Sequence, residues 1–350
     1  MNALYPLLFE PNLHVIVWGG NKLQPYKGLE QTGEPIGESW EVSAVESSPC
    51  TIANGPLKGR DLISVVSQYG GKLLGDAVYR QYGDKLPLLV KFIDARSDLS
   101  IQVHPGDELA RKRHGKFGKT EMWYIIDAEP GASLYAGFSK EITPEEYKQR
   151  VADGTICEVL ARHEVHPGDV FFIPAGRVHA ICGGILLAEV QQSSDVTYRI
   201  FDYNRPGLDG KPRQLHTELA ADAIDFSVSQ EYRTFYGNTT DKAVQVIDTP
   251  YFDVRIMDID KPFHRNLVKY DSFVISMCIK GCCTISLRGY DGPEKEIILR
   301  EGHSCLIPAS MADYDIKPLS PATRILDTHI DRKDRSWARR LLRTLKLSRK

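Results

Sequence analysis

Short apolar runs that alternate with polar positions dominate this chain, and they predict strands. Val15-Ile16-Val17-Trp18 runs into Gly19-Gly20, and Ser39-Trp40-Glu41-Val42-Ser43 alternates with period two. Residues 86–104 and 168–205 are strand-like, and Glu129-Pro130-Gly131 reads as a hairpin turn between two strands. Helical patterns are fewer. Residues 56–83 carry one, with Asp61 able to cap Leu62-Ile63-Ser64-Val65-Val66 and Gly70-Gly71 ending that piece. Thr143-Pro144-Glu145-Glu146 is a helix start, with Thr143 as N-cap and Pro144 in the first turn, and the helix should run to about Ala152. Residues 213–226 read as another helix. Residues 105–118, rich in Lys and Arg, read as a basic surface loop. His114 in that loop is expected to face solvent. The chain is therefore mainly β with helical inserts.

An internal echo divides it. Gly168-Asp169-Val170-Phe171-Phe172-Ile173-Pro174-Ala175-Gly176 matches Gly302-His303-Ser304-Cys305-Leu306-Ile307-Pro308-Ala309-Ser310. Before the second copy, Phe273 to Ile279 turns at Lys280-Gly281 as a hairpin. Two β-barrels follow from this, one in residues 1–240 and one in 241–331, with a basic tail over 332–350. In register, Asp313 stands opposite His179, and the second barrel has no ligand set upstream, so it is expected to be structural. His264, His303 and His329 are then ordinary polar residues. In the tail, Trp337, Leu341 and Leu345 share a helical face, as expected of a docked or frayed terminal helix.

Composition narrows the class. Of 350 residues, 42% are hydrophobic and 26% charged, a globular balance, and the net charge of −2 gives no field to attract nucleic acid. No apolar run has membrane-spanning length, and the N-terminus lacks a signal-peptide pattern. Seven cysteines without regular spacing argue against a disulfide framework and for a reducing cytoplasm. Cys282-Cys283 reads as buried strand filler. The oligomeric state is open.

The chemistry gathers at two segments. Ser100-Ile101-Gln102-Val103-His104-Pro105 places Gln102 and His104 on one face of a short strand, and Gly118-Lys119-Thr120-Glu121 follows. Gly168-Asp169 then turns into a strand that Pro174 and Gly176 break, which can aim His179 inward. Two imidazoles, a carboxylate and an amide suit one zinc-like cation. Any one of these residues alone would be an ordinary polar group at a barrel mouth; it is the set in register that points to a metal. No dinucleotide fingerprint or P-loop is present.

The Gly, Pro, Gly and His spacing of the second segment resembles the second cupin motif (a jelly-roll or double-stranded β-helix fold). The first segment departs from the cupin pair of histidines, with Gln102 in place of one. Gln102-x-His104 followed by Lys119-Thr120-Glu121 resembles the type I phosphomannose isomerases, as do Pro87 to Ala95, Trp18-Gly19-Gly20 and Gly37 to Glu41. The resemblance implies two cupin barrels, the first with one Zn²⁺ on Gln102, His104, Glu121 and His179 and the second degenerate. It also implies an aldose–ketose isomerase that interconverts mannose 6-phosphate and fructose 6-phosphate through a cis-enediol. Within it, Glu189 and Arg199 line the active site, Arg199 for phosphate or enediolate and Glu189 as base or orienting group, while Lys119 and Ser100 contact substrate. Arg177 and Arg205 are further candidates for the phosphate. Read without the family, Glu189 and Arg199 could instead be a buried pair with each other, Glu38 a solvated strand edge, and Glu41 a residue near the site. A cupin Fe(II) oxygenase and a non-catalytic sugar-phosphate sensor are the competing functions.

Overall fold

A computed structural model describes residues 4–331. The basic tail, with Trp337, Leu341 and Leu345, lies outside the described residues. Four sheets stack as successive layers, and none closes on itself, so each expected barrel is an open pair of facing sheets. Sheet I runs, in spatial order, Leu13–Gly20, Ile36–Val42, Leu88–Ala95, Ile185–Gln192, Glu121–Ala128 and Val170–Ile173. Sheet II runs Tyr198–Phe201, Ile101–Val103, His179–Ile181, Ser133–Phe138 and Leu160–Glu164. Sheet III runs Leu7–Leu8, Ser304–Ile307, Val274–Lys280, Thr323–His329, Asp253–Ile259 and Val244–Asp248. Sheet IV runs Phe263–Asn266, Asp313–Pro318, Cys282–Leu287 and Glu296–Arg300. The pairings are antiparallel.

Period-two alternation explains the stacking, because each strand sends successive side chains to opposite faces. In Leu88–Ala95, Leu88, Val90 and Phe92 face sheet III, while Ile93 and Ala95 face sheet II. Sheets III and IV enclose their own core, with Met257, Val274 and Cys305 against Ile285, Leu299 and Ile316. Between sheets I and III, the helices Leu62–Tyr69, Gly71–Leu74 and Asp76–Tyr82 add Leu62, Val65, Leu74 and Val78. Asp61 caps the first of these helices and Gly70 ends it, as expected; a further break at Gly75 divides the rest, and both glycines have positive φ. Cys283 is buried within strand Cys282–Leu287, and Cys282 is half-buried. The N-terminal strand Leu7–Leu8 joins sheet III beside Ser304–Ile307, so the chain begins on the second half before building the first.

Two expectations about local structure change. The basic stretch 105–118 is not a loop: Asp107–His114 is a helix, with Asp107 and Glu108 in its first turn and Arg111, Lys112, Arg113 and His114 in its last. That order complements the helix dipole, and Gly115 in the left-handed region ends it. His114, exposed as expected, nonetheless places Nε2 2.8 Å from the Tyr198 hydroxyl. The helix expected over 213–226 shrinks to Thr217–Ala221.

Ladder register also corrects the echo. His179 pairs with Gln102 in sheet II, and Arg265 pairs with Tyr314 in sheet IV, both pairs pointing between their sheets. The short helical turn Ala309–Met311 adds one residue, so Tyr314, not Asp313, takes the inward position of His179. Asp313 points outward and pairs with His264 at 2.6 Å. By the same register Val274 stands where Glu121 stands, and Asp327 where Glu189 stands. Asp327 accepts hydrogen bonds from Ser276 (2.5 Å), Arg265 (3.2 Å) and Tyr314 (3.2 Å). A polar knot fills the second half at the place where the first half gathers its ligand atoms.

Candidate metal centre

The kink expected after Val170–Ile173 is present. Gly176 takes φ +90°, and an added Cβ there would meet the Ala223 carbonyl oxygen at 3.0 Å. The backbone then enters His179–Ile181 with His179 turned between sheets I and II, fully buried. Its Nδ1 lies 2.8 Å from the Arg177 carbonyl, and His104 Nδ1 lies 3.0 Å from the Val196 carbonyl. A carbonyl can only accept, so each Nδ1 carries the proton and each Nε2 presents a lone pair.

Those two Nε2 atoms converge on Glu121. The cluster His104, Glu121 and His179 offers ligand atoms that all lie within 4.8 Å of one another, and all three residues are buried. Gln102 Nε2 sits 3.4 Å from His179 Nε2, which puts the amide beside the cluster. Neither oxygen of Glu121 has a hydrogen bond of good geometry among the described residues. Yet Oε1 is 2.7 Å from Lys119 Nζ and 3.2 Å from His104 Nε2, and Oε2 is 3.8 Å from His179 Nε2. Buried carboxylate oxygens without directed donors are costly, and a cation among them removes the cost. Lys119 Nζ, also 3.2 Å from His104 Nε2, supplies part of that positive charge; the donor types, two imidazole lone pairs, a carboxylate and an amide, are those that suit a metal ion.

Electrostatics agree. Burial, with Lys119 nearby, lowers His104 to about 3, so its imidazole is neutral and able to donate a lone pair. Burial lowers His179 as well. Burial works against ionisation of Glu121, but Lys119 and both imidazoles outweigh it and hold its carboxyl well below the usual range.

Beside the cluster lies a second charged group, drawn from the same face of sheet I. Glu189 is paired in register with Lys91 on one side and Trp123 on the other. Lys91 Nζ is 3.6 Å from Glu189 and 3.4 Å from Glu38, and Trp123 Nε1 donates to Glu189 at 3.0 Å. Burial and the charge of Glu121 raise Glu189 to about 7 in spite of Lys91 and Lys119. Glu38 is no solvated edge: its strand lies inside the sheet, and Lys91 and the Trp40 indole hold its carboxyl low against the effect of burial. Sequence reading passed over Lys91 and Trp123. The available signal was a lone lysine in the apolar run Pro87 to Ala95, which a buried strand tolerates only with a carboxylate partner.

Glu189 and Arg199 are not partners of each other. Glu189 is on sheet I and Arg199 on sheet II, where Arg199 pairs in register with Gln102. The Arg199 guanidinium donates through Nη1 to the Gln214 carbonyl at 3.0 Å, its amide donates to His216 Nδ1 at 3.1 Å, and its own carbonyl accepts from the His216 amide at 2.7 Å. Its Nε is buried without a hydrogen-bond partner among the described residues. Arg205 and Arg213 both grip Asp202 close by. Arg177 turns elsewhere, donating to the Phe172 carbonyl and stacking on Tyr232. Ser100 is buried at the start of the strand that bears Gln102. Glu41 lies on the other face of sheet I, ion-paired with Lys27, and so does not approach the cluster. Gln102 and Arg199, both half-buried, form the more open flank.

The family model for the phosphomannose isomerase type I catalytic domain matches residues 7–130. The chain is 42% identical over 318 residues to the probable mannose-6-phosphate isomerase GmuF of Bacillus subtilis (strain 168), covering 89% of this chain and 96% of the relative. It is 38% identical over 315 residues to mannose-6-phosphate isomerase ManA of the same organism, again over 89% and 96%. Among solved structures it resembles the mannose 6-phosphate isomerase from Bacillus subtilis with a TM-score of 0.82 at 31% identity, covering 93% of this chain and 100% of that one.

Proposed function

Because the chain belongs to the type I phosphomannose isomerases, we propose that it interconverts mannose 6-phosphate and fructose 6-phosphate through a cis-enediol, with one zinc ion held by His104, Glu121, His179 and Gln102. The observation that carries this reading is the convergence of three buried ligand residues within 4.8 Å, with an amide beside them. A zinc ion bound there would supply a Lewis acid for the negative charge that develops on the sugar oxygens.

The chain's own residues account for the rest. Moving a proton between C2 and C1 calls for a group that titrates near neutrality, and burial moves Glu189 upward in that direction. Lys91 and Trp123 fix its carboxylate from both sides, as a proton carrier must be fixed to face both carbons. Arg199 offers a permanently charged fork on the open flank for the enediolate or the phosphate. Lys119, at the edge of the ligand set, and Ser100 are assigned to substrate contact, with the phosphate as the target of Lys119. The sugar keeps its overall oxidation state, so no redox cofactor is required.

The test is a coupled isomerase assay on mannose 6-phosphate, before and after chelation, with zinc added back. Chelation should abolish turnover and zinc should restore it. His179→Ala should lose metal and activity together, whereas Arg199→Ala should keep metal and lose turnover. A fully active, metal-free His179→Ala protein would remove the site from the mechanism. Metal and sugar-phosphate binding without conversion would instead favour a sensor, and oxygen uptake with Fe(II) an oxygenase.

A further inference from the structure

Arginines on the open flank of the site outnumber the carboxylates beside them. Arg199 pairs in register with Gln102, and the same ladder ends with Phe201 against Ile101. Asp202 and Ser100, the next residue on each strand, therefore lie side by side, two residues or roughly 7 Å along the strand from Gln102. Asp202 is buried, and it holds two guanidiniums at once. Arg213 donates through Nε to Oδ2 at 2.7 Å and through Nη2 to Oδ1 at 2.6 Å. Arg205 donates through Nε and Nη2 to Oδ1 at 3.0 and 2.9 Å. On the isomerase reading, we propose that Arg213 and Arg205, clamped together by Asp202, are the subsite that holds the phosphate of the sugar substrate.

The chain between the two arginines presents them together. Tyr203 and Asn204 take positive φ, and Pro206 bridges antiparallel to Pro212, closing a hairpin whose ends carry Arg205 and Arg213. The Gln214 carbonyl that follows accepts from Arg199 at 3.0 Å, which brings a third guanidinium to the same corner. Arg213 and Arg205 both act electrostatically on Arg199, with Asp202 as the opposing charge.

Each guanidinium has five N–H donors, and Asp202 takes two from each, so three remain on Arg205 and three on Arg213. Three arginines against one buried aspartate leave a surplus of two positive charges, and at the exposed hairpin tip Lys211 offsets Asp209. A phosphate monoester carries about −1.5 to −2 at neutral pH and accepts guanidinium forks in bidentate geometry. Both arginines are half-buried, so they are open to a ligand while their charges are only partly screened. Lys119 lies within the ligand set, 2.7 Å from Glu121, so the phosphate is held on this flank and Lys119 meets the sugar oxygens nearer the metal.

Arg213→Gln in the metal-loaded full chain, assayed on mannose 6-phosphate, tests this. KM should rise at least tenfold, with kcat within about threefold of wild type and metal content unchanged. Arg213→Lys, which restores the charge without the fork on Asp202, should recover most of the loss; a clamp that only shapes the hairpin would be broken by both variants alike. Titration calorimetry with a hexitol 6-phosphate, which has no carbonyl to isomerise, should show the same loss of affinity in Arg213→Gln. Unchanged KM and affinity overturn the proposal, as does equal failure of Arg213→Lys. A fall in kcat alone would mean that Arg213 serves only to place Arg199, and it overturns the subsite too. A wild type that binds the hexitol phosphate through Arg213 yet never turns over would instead keep the subsite and overturn the isomerase reading.

Discussion

Single charges decide much of this site, and Glu38 shows how. A glutamate in an alternating strand reads as solvent-facing, and sequence offers no contrary signal. In the structure it is one of two carboxylates that keep Lys91 charged: burial works to neutralise Lys91, but Glu38 and Glu189 outweigh it and raise its pKa. Glu38→Gln keeps an acceptor for the Trp40 indole and deletes only the charge. Lys91 would still have Glu189, so the loss is less than that of an orphaned ion. We expect destabilisation of roughly 1–3 kcal/mol in urea unfolding. A change within about 0.5 kcal/mol, typical of a surface substitution, would show that the Glu38–Lys91 pair contributes nothing.

At the level of elements, the misread stretch 213–226 is the instructive one. Its pattern is helical, yet only Thr217–Ala221 is helix. Gln214 and His216 are drawn out to hold Arg199, through a side-chain contact at 3.0 Å and two backbone contacts. A helix interior could not offer the Gln214 carbonyl and the His216 amide, because interior carbonyls and amides bond to one another; the third contact is made by the His216 ring. Tertiary contacts override the local pattern there, whereas the helix Pro144–Ala152 begins as read, because its Thr143 side chain caps the Glu146 amide locally. His216→Phe should therefore loosen Arg199 without touching the ligand cluster. Losing one hydrogen bond of about 1 kcal/mol predicts a fall of about fivefold in kcat/KM, with metal content unchanged. Loss of metal in that variant would show that the segment supports the cluster instead.

Across the whole molecule, what the sequence made legible were positions set by local geometry. The Gly-Pro-Gly-His spacing and the Gln-x-His pair could be read because turn and strand rules fix where those side chains point. The layering could not, since it depends on which sheet faces which, and neither could the inward turn of Tyr314. The second half shows what replaces a ligand set: in the register position of Gln191 stands His329, fully buried, with neither ring nitrogen hydrogen-bonded among the described residues. Burial lowers it to about 4; Asp253, 3.9 Å away, and Asp327 oppose that, while Arg265 and Arg255 add to it. The unfolded chain takes up this proton near pH 6.5, but the folded chain does so only near pH 4. Between those values, protonation favours unfolding, so stability present above about pH 6.5 is lost as the pH falls toward 4. The difference is worth roughly 2–3 kcal/mol by pH 4.5 at 1.36 kcal/mol per unit. His329→Gln removes the titration, and any cost of its buried amide is the same at every pH. Urea unfolding at pH 7 and pH 4.5 should show the wild type losing that much more stability than the variant. Parallel losses in the two proteins would mean that His329 either takes up its proton in the folded state or is not sealed from water.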